Sequence, residues 1–446
     1  MLNKTISNFL SKEYKDFAMY VIECRAIPSV IDGFKHSQRK IIHVSNNIWK
    51  SGSEKSLKIF QLGGKVASDT FYHHGNISLE NSIVLMAQKF KNNAPLLEDL
   101  GQFGSLRSPQ AGATRYIETK LSPNFRLIYK DFELLECKEE EGNIIEPKFF
   151  LPIVPMVLVN GSSGIAVGFS SNILNRNIFD VIEACVSVIN KKKINKIFPC
   201  VKEFSGKFIQ DIENPKKWYI RGIFKVVNTS TVRVTDLPPS MTYEKYEEHL
   251  DKLIENKVIT SYDDNCKNNI DYTIKFNRST LKSLSEQDLI KLLKLEETST
   301  EIFSVLDEFG KLKIFDSDYD IVNYFVEFRL KYYEKRKQFL IKKLKENILM
   351  LSNKAKFIKY IIENKIKINN VPKSDVIINI EKFKLDKIDS SYDYLLKMPI
   401  YSLTKELYEK LIEDISIKNK ELLELKSTKP VDMYLDDLNE LKSKIK

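Results

Sequence analysis

A repeating pattern of apolar and polar residues predicts several helices in the first part of the chain. The first helix runs from about Asn8 to Cys24 and ends before Pro28, because a residue that precedes proline is biased away from helical geometry. Its apolar face is formed by Phe9, Tyr14, Phe17, Ala18 and Ile22. A second helix is predicted from about Ser37 to Trp49. Short helices, Gly-rich turns and basic residues are typical of a helix-turn-helix or winged-helix module, and an unrelated small helical domain fits the same pattern.

The middle of the chain has the pattern of an α+β domain. The residues from Phe149 to Val159 are apolar and β-branched and end at Asn160-Gly161, which predicts a buried strand followed by a tight turn. Between residues 207 and 280, several short strand-like runs accompany one amphipathic helix near residues 243–257. This mixture predicts strands and helices packed around one core.

The strongest periodic signal lies near the C-terminal end. No glycine or proline occurs between Gly310 and Pro372, and apolar residues there step by four and three, as in a coiled coil. These residues are Leu340, Leu344, Ile348, Leu351, Ala355, Ile358 and Ile362. A helix from about residue 318 to 364 would be roughly 70 Å long, and a second periodic segment, 403–425, predicts an antiparallel return. A long hairpin with a compact piece at its tip suits a lever or a dimerisation arm better than a small-molecule pocket.

Composition narrows the class of protein. The 446 residues exceed one hydrophobic core, so we expect about two to four domains, and no apolar run approaches the roughly 20 residues that span a membrane. The N-terminus lacks the features of a secretory signal, and the five cysteines have no CxxC spacing, which favours a reducing cytoplasm. Lys and Arg exceed Asp and Glu by 70 to 60, which suits a polyanion such as DNA, although many Lys-rich proteins bind nothing anionic.

Common catalytic motifs are absent from the sequence. It contains no GxxxxGK[ST] phosphate loop, no GxGxxG, no HExxH and no GxSxG. Acidic pairs such as Asp263-Asp264 and Asp436-Asp437 fall in turns or at predicted helix ends, where capping is their ordinary role. We therefore expect neither nucleotide hydrolysis by this chain alone nor a metal site within it.

Three short segments carry side chains that suit phosphate chemistry. Residues 25–40 place several cations around a turn and a helix N-terminus, which attracts phosphate. Residues 72–76 contain adjacent histidines without further ligands at zinc spacing, so phosphate contact or base positioning fits them better than zinc. In residues 101–118, small residues would let another surface approach, and Tyr116 would need activation to act as a nucleophile, because a phenol has a pKa of about 10. Taken singly, a solvated basic face and a packing tyrosine explain the first and third segments.

In order along the chain, these segments resemble the DNA breakage and rejoining subunits of type IIA DNA topoisomerases, the gyrase A and topoisomerase IV A type. RAIP…DG.K..QRK is similar to the family's RALP…DGLKP..RR, YHHG to YHPHG, GQFGS to GQGNFGS, and ATRYIETKLS to AxRYTExxLS. VNGSSGIAVG at 159–168 and MPIYSLT at 398–404 also resemble gyrase-type motifs. The length and ending of the chain are most similar to the medium subunits of topoisomerases from T-even-like bacteriophages.

The resemblance implies an α+β multidomain fold. Its parts would be a winged-helix DNA-gate domain at 1–125, an α/β tower domain at 126–315, a long antiparallel coiled coil at 316–369 and 403–446, and a terminal dimerisation globule at 370–402. A chain built in this way would hold DNA on its first domain and dimerise through the globule.

The resemblance also assigns roles to individual residues. Tyr116 would attack a backbone phosphorus and form a transient 5′-phosphotyrosine link, and Arg115 would stabilise the charge that develops on the phosphate. Ile165 would be a wedge between base pairs that bends the duplex. The remaining DNA-binding residues would be Arg25, Lys35, Gln38, Arg39, Lys40, His73 and His74.

The family's Mg²⁺ ions and ATP are bound by a different subunit, so the resemblance implies that this chain supplies half of a composite site. Its partners would be double-stranded DNA, a second copy of the chain and a metal-binding ATPase subunit, with no membrane, in the cytoplasm or, for a viral protein, the host cytoplasm. Because the chain ends soon after Leu425, we expect relaxation and unlinking of DNA without gyrase-type negative supercoiling. Two alternatives remain: a non-catalytic architectural DNA-binding protein and a structural coiled-coil scaffold.

Overall fold

The computed structural model describes residues 6–50, 55–267, 269–388, 390–399, 401 and 403–445. The chain divides into two compact units: Met1–Arg329 with Asp437–Lys446, and Leu330–Asp436. Ile400 and Ser402 of the MPIYSLT motif lie outside the described residues. None of the described helices is long and apolar enough to cross a membrane.

The first unit is rich in helices. They are α1 (Ile6–Phe9), α2 (Lys15–Val21), α3 (His36–Ile48), α4 (Ile59–Asp69), α5 (Asn76–Ala87), α6 (Pro123–Ile128), α7 (Met156–Val159), α8 (Ile178–Ile189), α9 (Tyr243–Glu255), α10 (Arg278–Ser283) and α11 (Glu286–Leu292). Two π-helical segments, Leu10–Tyr14 and Ile22–Ala26, flank α2, and a 3₁₀ turn occupies Phe132–Leu134. The predicted second helix is therefore present as α3.

The predicted first helix is also present, as the continuous helical run formed by α1, α2 and the two π-helical segments. Its predicted apolar face is only partly buried: Ile22 is buried, whereas Phe9, Tyr14 and Phe17 are exposed. Periodicity predicts the helix, but burial also needs a partner surface, and the sequence does not show which surface that is.

The strands are short and pair antiparallel. They are β1 (Leu57–Lys58), β2 (Glu118–Thr119), β3 (Tyr129–Lys130), β4 (Cys137–Glu140), β5 (Asn143–Pro147), β6 (Leu151–Pro152), β7 (Ser162–Ile165), β8 (Ser170–Ile173), β9 (Lys207–Gln210), β10 (Lys217–Arg221), β11 (Ile223–Asn228), β12 (Thr231–Asp236), β13 (Ser261–Asp264), β14 (Tyr272–Lys275), β15 (Glu296–Thr300), β16 (Phe303–Leu306) and β17 (Leu312–Phe315). A three-stranded sheet has the order β15-β10-β9, and a four-stranded sheet has the order β11-β12-β14-β13. Two-stranded pairs are β1-β2, β3-β6, β4-β5, β7-β8 and β16-β17.

The four-stranded sheet covers a hydrophobic core, as the alternation along β12 requires. Val232 and Val234 are buried, whereas Arg233 between them is exposed. The two valines belong to a cluster that includes Tyr246 and Leu250 of α9. Helix α9 occupies the place predicted for the amphipathic helix, and the middle of the chain is the expected mixture of strands and helices.

The apolar segment from Phe149 to Val159 differs from the predicted strand. Within it, Leu151–Pro152 is extended as β6 and Met156–Val159 forms α7, although these side chains are buried as expected. Pro152 and Pro155 lack the N–H groups that a strand ladder needs, so a long strand cannot form. The predicted turn follows at Gly161, whose φ of +63° favours glycine.

The long helix predicted near the C-terminal end is α12 (Asp318–Ile362), which has 45 residues. The remaining helices are α13 (Lys373–Lys382), α14 (Asp393–Leu396), α15 (Lys405–Ser427) and α16 (Pro430–Lys444). In the second unit, α15 runs antiparallel to α12, since Lys337 Nζ donates to the Lys426 carbonyl at 2.9 Å while Ile358 packs with Leu411. The predicted antiparallel return is therefore confirmed.

A separate cluster of buried side chains holds α13 and α14 against the end of α12. Its members are Phe357, Ile366, Val376, Ile380, Leu385, Tyr392 and Leu395. This cluster forms a globule at the place expected from the sequence. Its role in dimerisation and the predicted domain ranges stay predictions.

Candidate active site and nucleic-acid interface

Tyr116 lies on a short turn just before β2, with 72% of its surface exposed. Its N–H donates to the Ala113 carbonyl at 2.8 Å, and the carbonyl of buried Ile117 accepts the N–H of Ile59 at 3.1 Å. The Arg115 guanidinium lies 4.9 Å from the centre of the Tyr116 ring. The backbone of the turn is thus anchored on both sides, while the phenol and the neighbouring cation are open to a ligand.

Glycines in the preceding loop permit this packing. Gly101 and Gly104 have φ values of +121° and +81°, which side chains rarely adopt. A Cβ atom on Gly104 would lie 2.6 Å from the Ser108 carbonyl oxygen, and one on Gly101 would lie 3.2 Å from Ile117 Cγ2. The sequence analysis expected these small residues to admit another surface. In the structure, the parts that approach them belong to the same chain.

The Tyr116 turn rests on α5. Thr114 Oγ1 donates to the Glu80 carboxylate at 2.5 Å, and Gln88 Nε2 donates to the Phe103 carbonyl at 2.8 Å. Helix α5 begins directly after the histidine pair at 73–74. The second and third predicted segments are therefore connected through one helix.

The first and second segments meet at Arg25 and His74. Arg25 Nη2 lies 3.3 Å from His74 Nε2, and the Tyr20 hydroxyl lies 2.6 Å from the same nitrogen. Burial, together with the nearby Arg25 and His73 charges, lowers the pKa of His74. Arg25 itself is exposed at the edge of an open cleft of about 710 Å³. This surface offers cationic and imidazole groups to a polyanion.

Ile165 is presented by the β7-β8 hairpin. Its side chain is 87% exposed, an unusual position for an isoleucine. The hairpin packs tightly on the end of the first helical run, because a Cβ atom on Gly164 would lie 2.1 Å from the Ala26 carbonyl oxygen. Lys35 Nζ donates to the Ser163 carbonyl at 2.6 Å. The predicted wedge thus stands beside Arg25 and Lys35, on a rigid support.

Arg39 and Lys40 have different surroundings from those expected. Arg39 is buried, with Nε 2.7 Å from Asp32 Oδ2 and Nη2 3.1 Å from Asp32 Oδ1. Lys40 is buried as well, with Nζ 3.0 Å from Glu146 Oε2 and 2.5 Å from the Thr70 carbonyl. A buried charge needs such partners, so both side chains serve the fold. The expectation that they reach DNA phosphates is not met in this arrangement.

The remaining predicted residues divide in the same way. Gln38 Oε1 accepts the Lys35 N–H at 2.9 Å and so caps α3, whereas His73 is exposed with its Nε2 3.3 Å from Glu140. Burial lowers the pKa of the Lys35 ammonium, which favours an anionic neighbour. His73 and Lys35 therefore lie at the surface, and Gln38 supports the helix start.

Glu146 organises the buried charges beneath this surface. It accepts from Lys40 and lies 3.1 Å from His36 Nε2 and 3.5 Å from Lys138 Nζ. Burial alone would raise the pKa of this carboxyl, but the hydrogen bond from His36 and the attraction of Lys40 lower it to about 2. Glu146 is therefore ionised at neutral pH.

The part of the chain that the structure describes contains no group of three or more His, Cys, Asp or Glu side chains able to hold a metal ion. The Mg²⁺ ions implied by the family resemblance thus find no such ligand set among these residues. We derive no step through a metal on this chain.

Comparison with known proteins places this chain in a family. A family model that describes the A-type chain of DNA gyrase/topoisomerase IV matches residues 25–440. The chain is 33% identical to the DNA topoisomerase medium subunit of Enterobacteria phage T4, over 99% of each chain. The chain therefore belongs to the DNA gyrase/topoisomerase IV family of A-type chains.

Larger relatives contain a similar region. The chain is 34% identical to DNA topoisomerase 2 of Plasmodium falciparum, with 98% of this chain but 34% of that protein covered. The crystal structure of the Plasmodium falciparum topoisomerase II DNA-binding, cleavage and re-ligation domain superposes with a TM-score of 0.87 and 33% identity, covering 98% of this chain and 64% of that one. The chain thus spans about a third of the length of this eukaryotic relative.

Sequence reasoning missed the residues that support the site. Tyr20, Glu80 and Glu146 contact His74, Thr114 and Lys40 respectively. Each pair is separated by at least 34 positions along the chain, so no local pattern links the partners. The structure alone reveals them.

Proposed function

We propose that this chain is the DNA breakage and rejoining subunit of an ATP-dependent type II topoisomerase, in which Tyr116 is the nucleophile. The observation that carries the proposal is the exposed phenol of Tyr116 on an anchored turn, with Arg115 beside it. The sequence of the turn, ATRYIETKLS, resembles the corresponding motif of the family. Family membership and the similarity to a cleavage and re-ligation domain support the same role.

In the proposed reaction, the Tyr116 oxygen forms a bond to a backbone phosphorus while the bond from phosphorus to the 3′-oxygen breaks. The phenol gives up its proton, the 3′-oxygen takes one up, and the 5′ end stays linked to the protein. Arg115 would bind the phosphate oxygens as negative charge develops on them. The reverse attack by the 3′-oxygen rejoins the strand, because the phosphotyrosine link conserves the bond energy.

The gate duplex would lie on the exposed surface that contains Arg25, Lys35, His73, His74 and Ile165. These cations and imidazoles would contact phosphates, and Ile165 would enter between base pairs and bend the duplex. For Arg39, Lys40 and Gln38 we propose a supporting role beneath this surface, in place of the phosphate contacts expected from the sequence, since the first two are buried against carboxylates.

The proposal includes a homodimer of this chain and a partner protein that binds Mg²⁺ and hydrolyses ATP, acting in the cytoplasm, or in the host cytoplasm if the protein is viral. The family match and the similarity to the phage medium subunit support such a composite enzyme. The expected absence of negative supercoiling stays a prediction.

Denaturing trapping of end-labelled DNA tests the proposed function. The chain, reconstituted with its co-purifying ATPase subunit and Mg²⁺, is mixed with a duplex labelled at either end of one strand. The 3′ label should remain with the protein and the 5′ label should not, because Tyr116 holds the new 5′ end. Tyr116→Phe should abolish the adduct, whereas Tyr401→Phe, at another exposed tyrosine, should retain it. DNA binding without any adduct in the wild-type enzyme would favour the architectural alternative.

A further inference from the structure

Arg107 is a buried cation in the loop between the glycines at 101 and 104 and the Tyr116 turn, and only 7% of its surface is exposed. Nη2 donates to Asp236 Oδ1 at 2.6 Å and to the Leu237 carbonyl at 2.5 Å. Nη1 donates to the carbonyls of Pro238 at 2.7 Å and Met241 at 3.1 Å. One side chain thus ties an irregular loop to the end of β12 and the turn that follows it.

The receiving side of this contact is itself fixed. Asp236 Oδ2 also accepts the Ser205 N–H at 2.7 Å, and the Arg107 carbonyl accepts the Tyr243 N–H at 3.1 Å. Lysine cannot reproduce the arrangement, because a guanidinium offers several donors in a planar fork and an ammonium does not. The contact is therefore specific for arginine.

The other edge of the same loop is held by α5. Gln88 Nε2 donates to the carbonyls of Phe103 at 2.8 Å and Pro109 at 3.1 Å, and the Gly112 N–H donates to the Gln102 carbonyl at 2.9 Å. Between these bonds, residues 104–108 form no helix or strand. The loop that leads to Tyr116 is therefore suspended between α5 on one side and the four-stranded sheet on the other.

We propose that Arg107 is a positioning residue for DNA cleavage, which couples the four-stranded sheet to the Tyr116 turn. The inference rests on the proposed function and extends it to a residue far from the phenol along the sheet side. Loss of the guanidinium frees the loop and leaves Asp236 and three carbonyls without their donor. Misplacement of a reacting group by about 1 Å can lower a rate by about a hundredfold.

A neighbouring ion pair supplies a matched control. Arg233, on the same strand β12, donates to both Asp271 oxygens at 2.7 Å, but its side chain is 53% exposed. This pair has the same chemistry as the pair of Arg107 with Asp236. It joins β12 to its neighbour β14, and its bonds do not involve the Tyr116 loop.

The experiment compares Arg107→Gln, Arg107→Lys and Arg233→Gln. Hydrogen exchange of the full-length chain measures protection of the amides in residues 102–116, and the reconstituted enzyme gives the cleavage rate at saturating DNA and the Kd for DNA. We expect Arg107→Gln to lose loop protection and to lower the cleavage rate at least about tenfold with unchanged Kd. Arg107→Lys should be intermediate in both readouts, and Arg233→Gln should match the wild type.

Two outcomes would overturn the inference: unchanged loop exchange in both Arg107 variants, or cleavage rates equal to that of Arg233→Gln. If Arg107→Gln does not fold, Arg107→Lys decides alone, by loop exchange and by rate. A wild-type enzyme without any Tyr116 adduct would refute the proposed function instead, and hydrogen exchange would still decide whether Arg107 orders the loop.

Discussion

The basic segment from Arg25 to Lys40 and the core beneath it use cations in opposite ways. Arg25 is exposed and contacts His74, whereas Arg39 and Lys40 are buried against Asp32 and Glu146. Both kinds of cation occur within one motif-like run of sequence. The comparison teaches that a basic motif contains residues that can meet a ligand and residues that hold the backbone in place for them.

The two sets should respond differently to substitution. A buried pair that loses one partner leaves an uncompensated charge, which costs several times more than an exposed contact. Exposed cations gain their free energy from DNA rather than from folding. Variants of the buried set should therefore change stability, and variants of the exposed set should change DNA binding.

The largest effect is expected for Glu146→Gln. Without the carboxylate, the buried Lys40 ammonium loses its charged partner, and the free energy of unfolding should fall by about 3–5 kcal/mol. Urea unfolding followed by circular dichroism measures the change. Glu140→Gln is the matched control, because Glu140 pairs with exposed His73, and its effect should not exceed about 1 kcal/mol. Equal effects of the two variants would contradict the distinction between the sets.

The pH dependence of stability sharpens this comparison. The folded-state pKa of Glu146 is about 2, below the ordinary value of 4.5, so its ionisation stabilises the folded chain at higher pH. This contribution of about 3 kcal/mol is complete above pH 4.5 and is lost as the pH falls towards 2. Unfolding midpoints measured across that range should decline more steeply for the wild type than for Glu146→Gln. Parallel declines would show that another group dominates.

A smaller effect, on DNA shape, is expected for Ile165→Ala. Removal of the exposed wedge should reduce the bend of the bound duplex, because less side chain remains to separate the base pairs. Energy transfer between dyes at the two ends of the duplex measures the bend. Ile212→Ala removes another exposed isoleucine from a turn in the same unit and should leave the bend unchanged. An unaltered bend in Ile165→Ala would refute the wedge.

The smallest effect is expected for Arg25→Ala. Loss of one phosphate contact should weaken DNA binding for all sequences and reduce the slope of log K against log salt by about 1. Fluorescence anisotropy at several salt concentrations gives this slope. Lys410→Ala, which removes an exposed cation from α15, is the control and should keep the wild-type slope. A wild-type slope in Arg25→Ala would remove this residue from the interface.

Much of the fold could be predicted from the sequence where one local rule dominates. Helix α12 lies close to its predicted bounds, because a long stretch without glycine or proline and a coiled-coil pattern act together. The strand predicted for residues 149–159 was wrong, since the apolar character of the segment outweighed two prolines in the interpretation. Turn chemistry decided the outcome there.

The candidate site was predictable only where motif order mattered. The resemblance singled out Tyr116, Arg115 and Ile165, and each is exposed in the structure. The surroundings of Arg39 and Lys40 depend on long-range packing, as with Glu146, which lies 106 positions beyond Lys40. A sequence shows the charge of a side chain, but the burial of that charge follows from the tertiary fold.

The most direct test of the central claim identifies the residue that is joined to DNA. The reconstituted enzyme is trapped on DNA with denaturant, the DNA is digested with nuclease, and the protein is analysed by peptide mass spectrometry. We predict a nucleotide remnant attached through its 5′-phosphate to the peptide that contains Tyr116, and none in the Tyr116→Phe variant. A remnant on a different tyrosine, or a wild-type enzyme that cleaves DNA without any protein-linked nucleotide, would contradict the account.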